Sequence, residues 1–292
     1  MSSAKRLLAD SLSRVLSTNA AGHLREARIA RSPDHTVPPD ALRALLERRG
    51  FPAPEPLLDL EARAGGAAFP RGRLLGAACF LNACPDLRVK DLPRLGGGPV
   101  FPILGDPEHL AEWESPFAMM DAAGVISIYD APDGPAPACA SLEQLLELEA
   151  LAPLTAALHA VRVDALCGEL VAGLVGAEPH APATGEHASG FVGAGVWVKE
   201  LRLALEGGEK WSSLHGTFLM SEQIDQLLDA MSLLWEEGYG LGHRGPTAQP
   251  VEGSKKVLAF VDANPELGYR AQVEVTVWRG KEGYAVTRRV MT

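Results

Sequence analysis

In the first half of the chain, apolar residues recur at helical spacing in several separate stretches. Leu7, Leu8, Leu12, Val15 and Leu16 form one stripe, which predicts an N-terminal helix docked on the body. Asp40 to Arg49 carries Leu42, Leu45 and Leu46 on one face, enters through Pro38-Pro39 and closes at Gly50. Pro54 to Ala64 repeats the pattern with Leu57, Leu58 and Leu60, and stops at Gly65-Gly66. Residues 67–112 lose the periodicity; Gly96-Gly97-Gly98-Pro99 and repeated prolines predict long loops around one or two short strands. Phe117 to Met120 and Val125 to Tyr129 then read as two strands joined through Asp121-Ala122-Ala123-Gly124. Ser141 is a good N-cap for a helix running to Glu149 on Leu142, Leu145, Leu146 and Leu148. A longer helix is expected from Pro153 to about Val175.

The second half changes period. Val196 to Leu205 alternates, with Leu201, Leu203 and Leu205 opposite Glu200, Arg202 and Ala204, and Leu214 to Met220 is a second strand. Ser221 can cap a helix bearing Ile224, Leu227, Leu228, Met231, Leu234 and Trp235. Lys256 to Asp262, Tyr269 to Trp278 and Tyr284 to Met291 read as three further strands. The predicted class is α+β, the C-terminal unit having the order ββαβββ. Between the halves, residues 176–195 are dense in Gly, Ala, Pro, His and Ser without periodicity, which predicts a linker. The expected organisation is a basic helical extension over 1–35, a first domain over 36–175, the linker, and a second domain over 196–292; 292 residues suit two cores.

Charge sharpens this picture. The chain is acidic, at -10, but unevenly so: the net is +3 over residues 1–35, -8 over 36–150 and -5 over 151–292. Such a surface repels phosphate and attracts basic partners, which argues against nucleic-acid binding. The longest mainly apolar stretch, Leu74 to Leu81, is far short of the ~20 residues that cross a bilayer, so no membrane association is expected. Four scattered cysteines and the lack of a continuous apolar core at the N-terminus suit a reducing, cytoplasmic setting.

Candidate chemistry is sparse. Cys79 and Cys84 are five positions apart and Cys139 and Cys167 stand alone, which suits buried thiols better than zinc ligands. His180 and His187 fall in the expected linker, which holds no ligand rigidly. Gly240 to Gly245 matches G-x-G-x-x-G, yet it follows a helix and runs into Pro246 and Pro250, the reverse of the strand–loop–helix context that binds pyrophosphate. Ser212, Ser213 and His215, with Asp225 beyond, lack a nucleophile elbow. No catalytic residue, metal or cofactor is expected, which favours a binding protein over an enzyme.

Four motifs then carry a resemblance. The proline-led helix Pro38-Pro39-Asp40-Ala41-Leu42-Arg43-Ala44-Leu45-Leu46 and the short helix ending at Gly65-Gly66 come first. Next is Phe117-Ala118-Met119-Met120-Asp121-Ala122-Ala123-Gly124-Val125-Ile126-Ser127-Ile128-Tyr129, a strand–(D-x-x-G)–strand unit, and last Ser141-Leu142-Glu143-Gln144-Leu145-Leu146. In this order they resemble the SUKH superfamily, which comprises bacterial polymorphic-toxin immunity proteins and relatives of yeast cell-wall-synthesis regulators. The resemblance covers residues from about Val37 to Ala152, two-fifths of the chain. It implies a protein without catalytic residues that acts by covering a toxin, often a nuclease.

An acidic partner suits the basic groove of a nuclease and associates with it quickly in low salt. The expected partner-binding residues are Asp106, Glu108, Glu112 and Glu114, with Trp113 among them as an aromatic anchor, and Asp121, Asp130 and Asp133 flanking the hairpin. The alternatives are an intracellular scaffold without a toxin, and an enzyme or ligand-binding activity in the C-terminal unit around His215 and the Gly240–Gly245 loop.

Overall fold

The computed structural model describes residues 7–32, 34–70, 72–110, 116–130, 133–156, 158–163, 166–206, 214–223, 226, 227, 230, 272–280 and 283–291, with backbone alone at 130, 159–163 and the last two segments. The fold is α+β with antiparallel sheets. It divides into one unit of Met1–Leu154, Pro182–Ala188 and Arg202–His215, and a second of Thr155–Ala181, Ser189–Leu201 and Gly216–Thr292.

The first unit opens with two short helices, α1 (Leu8–Ser11) and α2 (Thr18–Glu26). Leu8, Leu12 and Leu16 are buried as the stripe predicts, but the helix breaks after Ser11 and leaves Val15 half exposed. Ser17 caps α2 by accepting from the Ala20 amide. Its own hydroxyl donates at 2.7 Å to the buried carboxylate of Glu147, on α6 (Leu142–Glu149). That bond fastens the N-terminal helices to the body.

Helix α3 (Pro39–Arg48) and helix α4 (Glu55–Ala64) each begin with a proline in the first turn, where its missing amide costs nothing. Strand β1 (Ala30–Arg31) supplies the cap for the far end of α4: the Arg31 guanidinium donates to the carbonyls of Glu61, Ala62 and Gly65 at 2.7–3.0 Å. Ser141 caps α6 through the Gln144 amide, as its sequence predicts.

The stretch 67–112 is richer than its prolines suggest. It holds β2 (Ala67–Ala68), β3 (Leu74–Leu75), helix α5 (Ala77–Ala83), the small hairpin of β4 (Arg94–Leu95) and β5 (Gly98–Pro99), and β6 (Phe101–Gly105). Then follow β7 (Phe117–Met120), β8 (Ile126–Asp130) and β9 (Gly134–Cys139). Six of these strands join β1 in one seven-stranded sheet in the order β1-β2-β3-β6-β7-β8-β9, every pair antiparallel. Every residue of β6 and β7 is buried, so both faces are covered at the middle of the sheet. Phe51 packs edge-on against Phe101 and Phe80 against Phe117. At the β9 edge, Pro135 and Pro137 carry no amide hydrogen, which withholds two donors from any further strand.

The second unit corrects two expectations. The helix expected from Pro153 is replaced at its start by β10 (His159–Val163), and α7 covers only Gly168–Val175. Residues 176–195 are no linker: they contribute β11 (Glu178–Pro179) and β12 (Ala188–Val192) to a five-stranded sheet ordered β10-β14-β13-β12-β11, with β13 (Val196–Leu201) and β14 (Gly216–Ser221). Small residues there serve close approach; Gly193, for example, lies against Ala177.

Glu200 is buried rather than outward because it accepts from the Gly168 amide at 2.8 Å, while Thr217 accepts from the Cys167 amide at 3.1 Å. Both side chains cap α7. Ser221 accepts from the Gln223 amide, and Gln226, Leu227 and Ala230 beyond it are helical. A final hairpin pairs β15 (Gln272–Gly280) with β16 (Gly283–Met291). The strand expected over Lys256 to Asp262 lies outside the described residues.

Gly105 leaves no room for a side chain. A Cβ there would sit 2.3 Å from the Phe117 ring. Gly105→Ala is expected to destabilise the protein by about 1–3 kcal/mol, the ordinary effect of overpacking a core. A urea unfolding midpoint unchanged from wild type would contradict this.

Candidate functional site

Antiparallel pairing determines which acidic residues lie near one another. Strand β6 ends at Gly105, so Asp106 leaves the sheet where β7 begins, Leu104 being opposite Ala118. Phe117 faces Tyr129, and Asp130 faces Gly134 across the turn into β9. Asp106, the described part of the connection at 107–110 and 116, Asp130 and Asp133 therefore share one end of the sheet. Asp121 lies at the opposite end, in the turn between β7 and β8, where Met120 pairs with Ile126.

The shared end is held from below. Leu110, within the connection, and Phe117, which follows it, are both in the core with Cys79, Phe80, Val100 and Met119. Asp106 caps a 3-10 turn, Pro107–His109, by accepting from the Glu108 amide at 3.0 Å, and its other carboxylate oxygen lies 3.7 Å from His109 Nε2. Glu108 is exposed and points no charge inward; Asp106 and Asp133 are partly exposed. Arg73, which precedes the β3 residue paired with Gly105, is engaged by Glu149 at 2.8 Å. The Glu149 carboxylate is the main influence holding the Arg73 guanidinium above its ordinary range, against burial. Arg73 thus neutralises an inner carboxylate rather than the acidic end. Glu112, Trp113 and Glu114 lie outside the described residues, as does the side chain of Asp130.

Asp121 is a structural residue. Its Oδ1 accepts from the amides of Ala123 and Val125, both at 2.9 Å, and its amide donates to the Val125 carbonyl at 3.0 Å. Gly124 closes this turn with φ +89, a conformation that favours glycine. The D-x-x-G signature is thereby explained by turn formation.

Other candidate chemistry stays apart. Burial pushes the Cys79 thiol up to about 12, with the Glu61 carboxylate adding to the effect, and burial also raises Cys84 and Cys167. These are poor nucleophiles. Among the described residues, no three His, Cys, Asp or Glu side chains converge as metal ligands would. A polar cleft of about 470 Å³ is lined by Asp10, Ser11, Leu12, Ser13, Arg14, Val15 and Arg63. Arg63 is bound by both Asp59 and Glu143, which leaves its charge balanced. Ser212, Ser213, Asp225 and the Gly240–Gly245 loop lie outside the described residues.

Sequence reasoning passed over three buried carboxylates, Glu61, Glu147 and Glu200. For Glu61 a signal exists: it follows Leu57 by four and Leu58 by three, on the inward face of α4.

Asp121→Ala is expected to lower stability by about 1–2 kcal/mol through two orphaned amides, and Asp121→Asn, which keeps the acceptor, to recover most of it. Equal unfolding midpoints for Ala and Asn variants would refute this role. Compared with family models, curated proteins and solved structures, the chain matches none.

Proposed function

We propose that this protein is a non-catalytic binding protein of the SUKH kind, which neutralises a basic, nuclease-like toxin by covering it. The observation that carries the reading is the gathering of Asp106, Glu108, Asp130 and Asp133 at one sheet end; in sequence, Glu112, Trp113 and Glu114 fall between Glu108 and β7. Support also comes from the order α3, α4, the β7–β8 hairpin with its Asp121–Gly124 turn, and α6, which follows the motifs of the resemblance.

Carboxylates gathered at a sheet end act on a basic partner in two ways. They raise the encounter rate by long-range attraction, and they orient the partner before contact. Apolar contact around Trp113 would then slow dissociation. Exposed charge is screened by salt over about 8–10 Å, so the interaction should weaken as ionic strength rises.

The experiment is capture of partners from the native lysate by the tagged protein at low and moderate salt, followed by association kinetics with the protein retained. One basic protein in stoichiometric amount is expected, released as salt rises. Glu108→Lys with Glu114→Lys should slow its association roughly ten-fold or more at low salt and flatten the salt dependence. The control pair Glu26→Lys with Glu47→Lys changes the charge equally on exposed helix positions elsewhere. Equal slowing by both pairs would reduce the effect to net charge and sink the sheet-end reading. Retention indifferent to salt would sink it as well.

A further inference from the structure

Glu61 is fully buried on α4, at the joint where that helix ends and α5 begins. Its Oε2 lies 3.4 Å from the Ala78 amide, a long hydrogen bond, and its Oε1 has no hydrogen-bond partner. Two glycines make room for it, and a third lies beside them. A Cβ at Gly65 would lie 2.4 Å from Glu61 Oε1, and one at Gly76 2.9 Å from Oε2. Gly66 is wedged against Thr36 Oγ1 and the His35 carbonyl, and both Gly66 and Gly76 have positive φ, at +77 and +123. The glycine backbone is itself bonded across the joint: the Gly66 amide donates to Leu75 and the Gly76 amide to Ile103, each at 2.7 Å. The result is a collar of backbone closed around one carboxyl group.

Among the described residues, few charges face this group. Arg31 of β1 approaches with its guanidinium on the carbonyls of Glu61, Ala62 and Gly65. Cys79 of α5 points its thiol toward the carbonyls of His35 and Leu75. His35 meets the collar through its backbone. An ionised carboxylate with one oxygen unpartnered is expensive to keep dry, and the cheapest relief is admission of water.

We propose that Glu61 is a proton-controlled latch: neutral, it lets the Gly65–Gly66–Gly76 collar close over the α4–α5 joint, and ionised, it drives that collar open to water. Burial pushes the Glu61 carboxyl up to about 7, against the pull of the Ala78 and Ala77 amides, Arg31 and the Val37 amide. An acid whose value is raised in the closed state favours closure fully below its ordinary value of 4.5 and loses that contribution as pH rises through about 7. The switch therefore operates between weakly acidic and neutral conditions.

Cys79 reports the opening, because it is buried beside Glu61. Maleimide labelling of the native protein, with each cysteine read by mass spectrometry, would be followed from about pH 5 to about pH 8 and divided by the rate for an unstructured cysteine peptide. Cys79 labelling should climb roughly ten- to a hundred-fold and level off above neutrality, while buried Cys139, in the same unit, stays protected. Glu61→Gln should abolish the climb. A flat wild-type profile, an equal climb in the Gln variant, or Cys139 rising in step with Cys79 would each overturn the latch. Should the variant not fold, amide exchange at Gly66 and Gly76 in the wild type decides: corrected for intrinsic rates, it must rise over the same window, and a flat profile there rejects the proposal.

Discussion

The contact between Phe117 and Gly105 is the constraint on which the first unit is built. The ring occupies the space that a side chain at 105 would take, and it meets Phe80 of α5 edge-on at 6.0 Å between centroids. Because Gly105 is the last residue of β6 and Phe117 the first of β7, this one packing interaction pins both ends of the acidic connection. Leu110, buried in the same cluster, pins its middle. The position of Asp106 and Glu108 at the sheet end follows from an apolar contact rather than from anything electrostatic.

Seen from the structure, the acidity of residues 36–150 divides into two populations. Glu147 receives the Ser17 hydroxyl, Glu143 is bound by Arg63, Glu149 by Arg73, and Asp121 holds its own turn. Burial acts to raise Glu143, but the Arg63 hydrogen bond, with its own amide and Ser141, outweighs it and holds the carboxyl below its ordinary range. Glu61 is set apart again, dry and incompletely bonded. Formal charge per segment thus overstates what a partner would meet. In this segment the exposed carboxylates among the described residues are spread over α3 and α4, with Asp40, Glu47, Glu55 and Asp59, and over Asp86 and Asp91, while Glu108 is the most exposed one described at the acidic sheet end. The second unit uses the same device, since Glu200 and Thr217 cap α7 from neighbouring strands.

Proline and glycine serve opposite ends in this fold. Pro39 and Pro56 start helices, and Pro135 and Pro137 remove donors from the outermost strand of the seven-stranded sheet. Both uses rely on the absent amide hydrogen. Gly65 and Gly76 instead allow backbone to close on a carboxyl group, and Gly66 and Gly76 have φ values that other residues rarely adopt.

How much of this was legible in the sequence depends on the range of the interaction. Helices α3, α4 and α6 and the β7–β8 hairpin are written in residues within four positions of each other: proline at the helix start, Ser141 as a cap, leucines at helical spacing, Asp121 and Gly124 in one turn. Those signals are local, so the chain alone determined these elements, and with them the α+β class. The two-residue strands β1, β2 and β3 carry no pattern of their own and exist because a distant strand supplies their hydrogen bonds, as Arg31 opposite Ala67 shows. Residues 176–195 read as a linker because small residues suit both loops and close-packed strands, and only pairing with neighbouring strands selects between the two. The same holds for charge: a carboxylate's sequence position says nothing of its solvent, and it was tertiary packing that sent Glu61 inward, paired Glu149 with Arg73 and left Glu108 facing water.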